Sequence, residues 1–316
     1  MLTVGVDVGG TSVRAGVVDP EGAVIDSAST ATPASDEALE SAIASCVAEL
    51  AGRHEIGAVG LALAGFVDAD RGLVRFAPHL SWRDAPVAER MHARLGVPVV
   101  VEHDANAAAL AERRHGAAAG AGTVVFVALG TGIGAALLVD GVLFRGAHGV
   151  APELGHVRVV PDGRPCPCGK RGCWERYCSG TALGTTALEM LGDPDGVSSV
   201  LYREAQRDRG RITGQRVAAA AREGDRLARR AVADLGRWLG EGLSMIADVF
   251  DPELVVIGGG VSVSAPLFLD EAREHYAAIV TGGGNRPKAR IRTAQLGSAA
   301  AVVGAAELAR EAVARP

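Results

Sequence analysis

Leu2-Thr-Val-Gly-Val-Asp-Val8-Gly-Gly-Thr11-Ser-Val-Arg-Ala-Gly-Val-Val18 opens the chain with two apolar strands joined at a Gly/Thr turn. Val124-Val-Phe-Val-Ala-Leu129-Gly-Thr-Gly132-Ile-Gly-Ala-Ala-Leu-Leu-Val139 repeats that order in the middle of the chain. Each copy continues through a second turn, Asp19-Pro-Glu-Gly22 or Asp140-Gly141, into a further short strand at 23–27 or 142–144. Two copies of one supersecondary unit predict an internally duplicated, two-lobed α/β fold.

The segments between the copies fit the same class. Ser35-Asp36-Glu37 is a helix start, and Leu39, Ile43, Cys46 and Leu50 recur on one helical face. An apolar strand over 57–64 ends at Gly65, a helix is expected over 87–95, and a strand over 97–102 delivers His103-Asp104-Ala-Asn106 at its carboxyl end. Beyond residue 180 the spacing predicts helices over 217–222 and 226–250, the second carrying Leu235, Leu239, Leu243 and Ile246. A buried strand at 254–257 empties into Gly258-Gly259-Gly260, and 298–313 reads as a helix of small residues that packs back on the first lobe. Residues 191–215 are polar and poorly patterned.

Composition narrows the function. The 316 residues have room for two domains, and a net charge of -5 with no long basic run argues against a nucleic-acid binder. The Arg-rich stretch 203–216 is mixed with Glu and Asp, as on a solvated helix. No basic head and apolar block of a secretory signal stands at the amino terminus. The uncharged span 116–139 is long enough for a membrane helix, but its glycines break it into strand, turn and strand. A soluble protein of a reducing cytoplasm is expected, with no membrane partner.

Three groups of residues carry chemistry. Asp7-Val-Gly9-Gly10-Thr11 offers backbone N–H groups and a hydroxyl to an anion, with Asp7 placed to meet a phosphate-bound cation through water. Its echo, Gly130-Thr131-Gly132, together with Gly258-Gly259-Gly260, extends this to a nucleotide's phosphates, although neither a Walker A nor a dinucleotide fingerprint is present. Asp104, at a strand end, is the candidate catalytic base of phosphoryl transfer to an alcohol; the competing reading makes it the cap of the next helix. Finally, Glu153-Leu-Gly-His156 and Cys166-Pro-Cys168-Gly-Lys-Arg-Gly-Cys173-Trp-Glu175 supply one imidazole and three thiols. His156, Cys166, Cys168 and Cys173 make a complete tetrahedral zinc set with no open position, hence a structural site that brings Glu153 and Glu175 together. Ordinary buried cysteines, or a disulfide with a spare thiol, are the alternative; clustering among Pro, Gly, Lys and Arg favours zinc.

Taken together, Asp7-Val-Gly-Gly-Thr11, Glu102-His-Asp-Ala-Asn106, Leu129-Gly-Thr-Gly132, Glu153-Leu-Gly-His156, the 166–175 run and Gly258-Gly-Gly260 resemble the ROK family of sugar kinases and sugar-responsive repressors, in particular its bacterial glucokinases. The resemblance implies an actin-like (ribonuclease H-like) fold: a small lobe of 1–105 plus about 299–316, a large lobe of 106–298, and a cleft for sugar and Mg-ATP. It also implies that Asp104 takes the proton of a sugar 6-hydroxyl, that Gly65, His79, His103, Glu153, His156 and Glu175 contact the sugar, and that the glycine loops hold ATP. Zinc would take one nitrogen of His156 and leave the other to the sugar. Homodimers or homotetramers are the family's habit. A repressor would need a DNA-binding helix-turn-helix ahead of the strand at Leu2, where none is expected; a non-catalytic sugar-binding regulator is the alternative function.

Two departures bear on specificity. His79, in Pro78-His79-Leu-Ser-Trp82, and His103 stand where the family's glucokinases generally have Asn. An imidazole presents its donor and acceptor on opposite edges and takes more space than an amide. The substrate is therefore expected to be glucose or a glucose-like sugar altered at or near C3, such as kanosamine or a cyclitol. Ser12 replaces a Lys that often follows Gly-Gly-Thr, which weakens the expected phosphate contact.

Overall fold

The computed structural model describes residues 1–194 and 196–314; the last two positions of the expected 299–316 segment lie outside them. In chain order the elements are β1 (Leu2–Val8), β2 (Ser12–Val18), β3 (Val24–Ala31), α1 (Asp36–Ala51), β4 (Ile56–Leu63), β5 (Phe66–Val67), β6 (Val74–Phe76), β7 (Arg83–Ala85), α2 (Val87–Leu95), β8 (Val99–His103) and α3 (Asp104–His115). They continue with β9 (Val124–Leu129), β10 (Ile133–Val139), β11 (Val142–Phe144), α4 (Gly180–Met190), α5 (Val200–Arg207), α6 (Gly214–Arg222), α7 (Arg226–Phe250), β12 (Leu254–Gly258), α8 (Leu269–Ile279), β13 (Arg290–Thr293) and α9 (Ala300–Ala314).

Two five-stranded sheets share one strand order, β3-β2-β1-β4-β8 and β11-β10-β9-β12-β13. The central strand pairs parallel with the strand that follows the meander, β1 with β4 and β9 with β12. The duplication read from the two Gly/Thr turns is thus a duplication of sheet topology. A small antiparallel sheet, β5-β6-β7, completes the strands. The uncharged span 116–139 contains the whole of β9 and β10, and no helix among the described residues is long and apolar enough to cross a membrane.

The chain divides into two compact units: residues 1–122 and 136–152 with the C-terminal segment from Gln295, and residues 123–135 with 153–294. In the first unit, alternation along β1 sends Val4, Val6 and Val8 to one face, where they join Val59, Leu61 and Leu63 of β4 and Leu39, Ile43, Val47 and Leu50 of α1 in the main core. Ser35 caps α1 by accepting from Ala38 N. The opposite face carries glycines. A Cβ at Gly5 would stand 1.8 Å from the Val302 carbonyl oxygen, and one at Gly60 would stand 1.9 Å from that of Ala305. The small residues of α9 therefore lie directly on the sheet, and α3 lies on α9 through Gly304, whose Cβ would be 1.7 Å from Ala107 O. This packing carries α3 into the first unit.

The second unit is organised by α7, capped by Asp225, which accepts from Ala228 N. The same carboxylate accepts from Ser199 Oγ (2.9 Å) and Val200 N (2.9 Å), fixing the start of α5 inside the poorly patterned 191–215 stretch. β13, Arg-Ile-Arg-Thr, is an edge strand ordered by pairing with β12 and has no apolar signature of its own.

Because Gly304 meets backbone and not a movable side chain, Gly304→Ala is expected to destabilise the first unit by about 1–3 kcal/mol or more through overpacking. Gly72→Ala, at a position with open space around it, is the control and should stay within about 0.5 kcal/mol of the parent. Urea unfolding of both variants checks this.

Candidate functional site

In the first unit, β1 and β8 flank β4 in parallel, so their carboxyl ends share one sheet edge. Asp7 is in register with Ala62, and Ala62 with Glu102; Asp104 follows one residue past β8 and opens α3. Asp104 Oδ1 accepts from Ala105 N at 2.7 Å and lies 3.4 Å from His103 Nε2, which leaves Oδ2 unpartnered among the described residues. The cap position of α3 is His103, and Asp104 binds only the next N–H. Its carboxylate is therefore not consumed as a helix cap.

Behind it stands Glu102, 1% exposed. Its carboxylate accepts from Arg71 Nε (2.8 Å), Asn106 Nδ2 (3.0 Å) and His103 N (2.9 Å), and Arg145 Nε lies 2.9 Å from Oε2. Arg145 also donates to Ala69 O and Asp68 O. A carboxylate this deep is tolerated only when its lone pairs are filled and its charge is matched, and two guanidiniums do both.

Asp7 pairs with Arg14, its register partner on β2, with Nη2 2.5 Å from Oδ2. Burial pushes the Asp7 carboxyl above the usual carboxylate range; Arg14 opposes the rise and the negative charge of Asp104 adds to it. The turn between the two strands closes with Gly9 N donating to Ser12 O, and Thr32 Oγ1 donates to Gly9 O. His79 lies against this turn, its Cβ 3.0 Å from where a Cβ on Gly10 would be, and Gly65 is packed under Phe76 O. Asp7, Gly9, Gly10, Thr11, Gly65, His79, His103 and Asp104 all belong to this unit.

In the second unit the cysteine loop is folded tightly. Cys166 N donates to Lys170 O and Gly169 N to Cys166 O; Gly172 sits at φ +75°, where a Cβ would be 1.6 Å from Val160 O. Trp174 is fully buried, donates to Trp238 O, and fits because Gly242 of α7 has no side chain. One donor atom each from His156, Cys166, Cys168 and Cys173 lies within 4.8 Å of the others. Cys168 and Cys173 Sγ are 3.6 Å apart, and Cys166 Sγ is 3.7 Å from His156 Nδ1. Those separations match the edges, about 3.3–3.8 Å, of a tetrahedron of nitrogen and sulfur ligands around one metal ion. All five cysteines are free, which removes the disulfide alternative. The cluster can hold a metal ion, with His156 Nδ1 turned to the thiols.

Two carboxylates bracket that imidazole, as the spacing predicts: Glu175 Oε1 lies 3.7 Å from Nδ1 and Glu153 Oε2 lies 3.9 Å from Nε2. Glu175 also accepts from Cys166 Sγ (3.1 Å) and, through Oε2, from Ile133 N (3.4 Å). It reaches the Gly130-Thr131-Gly132 turn because Gly132 leaves its place open; a Cβ there would be 2.3 Å from Oε2. Gly259, at φ +79°, folds the 258–260 run against Leu129 O.

The second unit also contains a largely apolar cavity of about 570 Å³. Gly130, Thr131 and Gly260 line it, whereas Gly132, Gly258 and Gly259 do not. The remaining walls escaped the sequence reading: Gly180 and Thr181 at the start of α4, Thr213 and Gly214 at the start of α6, and Val261 and Phe268. A signal existed in Ser179-Gly-Thr and Thr213-Gly-Gln, each a capped helix start with a small residue. The backbone N–H groups at such helix starts suit an anionic or acceptor-rich ligand, and the apolar walls suit a flat ring.

The profile of the ROK family matches residues 3–312. A glucokinase from Streptomyces coelicolor is 44% identical over 310 residues, covering 98% of each chain. A ROK family glucokinase from Streptomyces griseus, solved with glucose and AMPPNP, superposes with a TM-score of 0.88 at 44% identity, over 98% of this chain and 100% of that one. A ROK hexokinase from Thermus thermophilus gives 0.83 at 32% identity, over 100% of both chains. These matches identify the duplicated α/β architecture as the two-lobed, actin-like fold of the ROK sugar kinases.

Metal-stripped protein titrated with Co²⁺ is expected to develop thiolate-to-cobalt charge-transfer absorption at one equivalent, and Cys173→Ser should lose it. Absorption spectroscopy with atomic emission for bound metal reads both.

Proposed function

The chain belongs to the ROK family, and on that footing we propose that it is an ATP-dependent glucose kinase that phosphorylates the sugar 6-hydroxyl. The observation that carries this reading is Asp104, tied at Oδ1 by Ala105 N and free at Oδ2, on the edge where β1 and β8 end. A carboxylate held by one oxygen presents the other to a hydroxyl proton in a fixed direction, as a general base requires. The glucokinase of S. griseus solved with glucose and AMPPNP supports both substrates.

In the proposed mechanism Asp104 Oδ2 accepts the proton of the 6-hydroxyl while that oxygen attacks the γ-phosphorus of ATP. Glu153, His156 Nε2 and Glu175 hydrogen-bond the sugar, and Gly65, His79 and His103 shape its surroundings. The adenine ring fits the apolar cavity, and Gly9, Gly10, Thr11, Gly130, Thr131, Gly132 and Gly258 to Gly260 serve the phosphates. Asp7 would hold Mg²⁺ through water, and the ion would supply positive charge to offset the phosphates. Zinc is the metal that suits one nitrogen and three sulfurs. Held by His156 Nδ1 and the three thiols, it would fix the tautomer that leaves Nε2 to the sugar. Reduced thiols suit a cytoplasmic protein, the net charge suits one without a nucleic-acid partner, and the family's habit is a homodimer or homotetramer.

A second reading, a sugar altered at or near C3 such as kanosamine or a cyclitol, rests on the two imidazoles. His103 lies 3.4 Å from Asp104 Oδ1 and His79 lies on the Gly10 turn. Bulk, and a donor and acceptor set on opposite edges of the ring, alter which substituent fits there. A non-catalytic regulator has no use for a free carboxylate oxygen at Asp104.

A coupled ADP-release assay across glucose, mannose, glucosamine, 3-amino-3-deoxyglucose and cyclitols is the test, with NMR locating the phosphate. Glucose is expected to give the highest kcat/KM and a 6-phosphate product, and Asp104→Ala to lower kcat by about 10²–10⁴-fold. A preference for the 3-amino sugar transfers the assignment to the second reading; equal turnover by Asp104→Ala removes the base.

A further inference from the structure

We propose that Arg14 is a catalytic residue of phosphoryl transfer, leaving Asp7 to donate its guanidinium N–H groups to the oxygens of the phosphoryl group in flight. The inference rests on the kinase reading above and assigns a cationic side chain that this reading lacks. Ser12 removes the lysine expected after the first Gly-Gly-Thr, yet β2 is a strand, and its side chains alternate. Position 14 lies on the same face as position 12, while Val13 and Ala15 are buried on the other. A cation is therefore returned to the same side two residues further on.

Its surroundings suit transfer more than architecture. Arg14 is the register partner of Asp7, directly beside the Gly9-Gly10-Thr11 turn. Its side chain is 47% exposed and, among the described residues, bonds to Asp7 alone, so most of its five N–H donors are unused. Structural arginines in the same unit are spent differently. Arg145 is 9% exposed at its side chain and saturates Glu102, Asp68 O and Ala69 O. Asp7 and Asp104 together make this edge acidic, and the charge of Asp104 adds to the cost of charge on Asp7. A phosphoryl group arriving there adds further negative charge, and a half-exposed guanidinium already resident at the edge offsets it.

The step balances without a further reactant. The sugar oxygen forms a bond to the γ-phosphorus, the bond from that phosphorus to the β,γ-bridging oxygen breaks with its electron pair remaining on ADP, and the hydroxyl proton goes to Asp104. Arg14 exchanges no proton, since a guanidinium stays charged throughout. Its planar fork matches two phosphoryl oxygens at once, which a lysine ammonium does not.

The experiment compares the full-length protein with Arg14→Ala and Arg14→Lys. Arg14→Ala is expected to lower kcat by about 10²-fold or more, with glucose affinity by calorimetry and thermal midpoint little changed, and Arg14→Lys should fall between. The decisive readout is binding of Mg-ADP with and without aluminium fluoride in the presence of sugar. Arg14→Ala should lose the tightening that aluminium fluoride gives the parent while keeping the parent's affinity for Mg-ADP. If it retains that tightening, or keeps kcat within threefold of the parent, the proposal is overturned and Arg14 serves only to neutralise Asp7. Equal losses for Mg-ADP and for the fluoride complex overturn it too, because a displaced Asp7 explains them. Parent protein that turns over no sugar would defeat the kinase reading itself, whereas an active parent with an equally active Arg14→Ala defeats this inference alone.

Discussion

The buried carboxylate of Glu102 is the constraint on which the first unit's chemistry depends. With 1% exposure it must be neutralised where it stands, and Arg71 and Arg145 do so from two different loops. Its remaining acceptor capacity takes the His103 N–H and the Asn106 amide, one at the end of β8 and one in the first turn of α3. Asp104 lies between those two anchors. Its direction is thus set by a neighbour that never needs to touch a substrate, and removing both arginines would leave an uncompensated buried charge whose cost, about 3–5 kcal/mol, would fall on this turn. Arg145 extends the same network to the backbone of residues 68 and 69, which closes the small β5-β6 turn.

The cysteine loop performs the corresponding service in the second unit by different means. It has few apolar residues to bury, so backbone turns, the Trp174 anchor on α7 and a four-donor cluster hold it. Glu175 is the junction: one oxygen faces the thiol and imidazole, the other the N–H after Gly132. Loop, Gly/Thr turn and the start of α4 are joined, since Gly180 N donates to Gly130 O. The cluster is thus joined to the wall of the cavity through a short chain of bonded neighbours.

Duplication explains why the two copies of one topology carry different tasks. Parallel strands end on the same edge of a sheet, and groups placed after those ends are free of ladder hydrogen bonds. The first copy spends that edge on carboxylates, Asp7 and Asp104; the second spends it on glycines, which leave space beside the backbone and let Gly130 and Gly260 line a cavity. The same scaffold thus holds charge in one unit and an apolar chamber in the other. This is possible because the core positions, the alternating valines of β1 and the helical leucines of α7, lie elsewhere on the elements.

The sequence by itself determined β1 to β4, β8 to β12, the helices α1, α2, α6, α7 and α9, and the metal-cluster residues, because each is a local pattern. Alternation fixed β1, 3.6-residue spacing fixed α7 to its ends, and four soft donors within a few turns have few arrangements open to them. It also marked Asp104, since a carboxylate after a buried strand stands out in one dimension. Tertiary structure alone decided that Glu102 is clamped by Arg71 and Arg145, that Asp225 starts α5, that Arg-Ile-Arg-Thr becomes β13, and that helix starts at Gly180 and Gly214 wall a cavity. Those features are pairings between residues 25 or more positions apart, and nothing in a residue's near neighbours encodes a partner that only folding brings within hydrogen-bond reach.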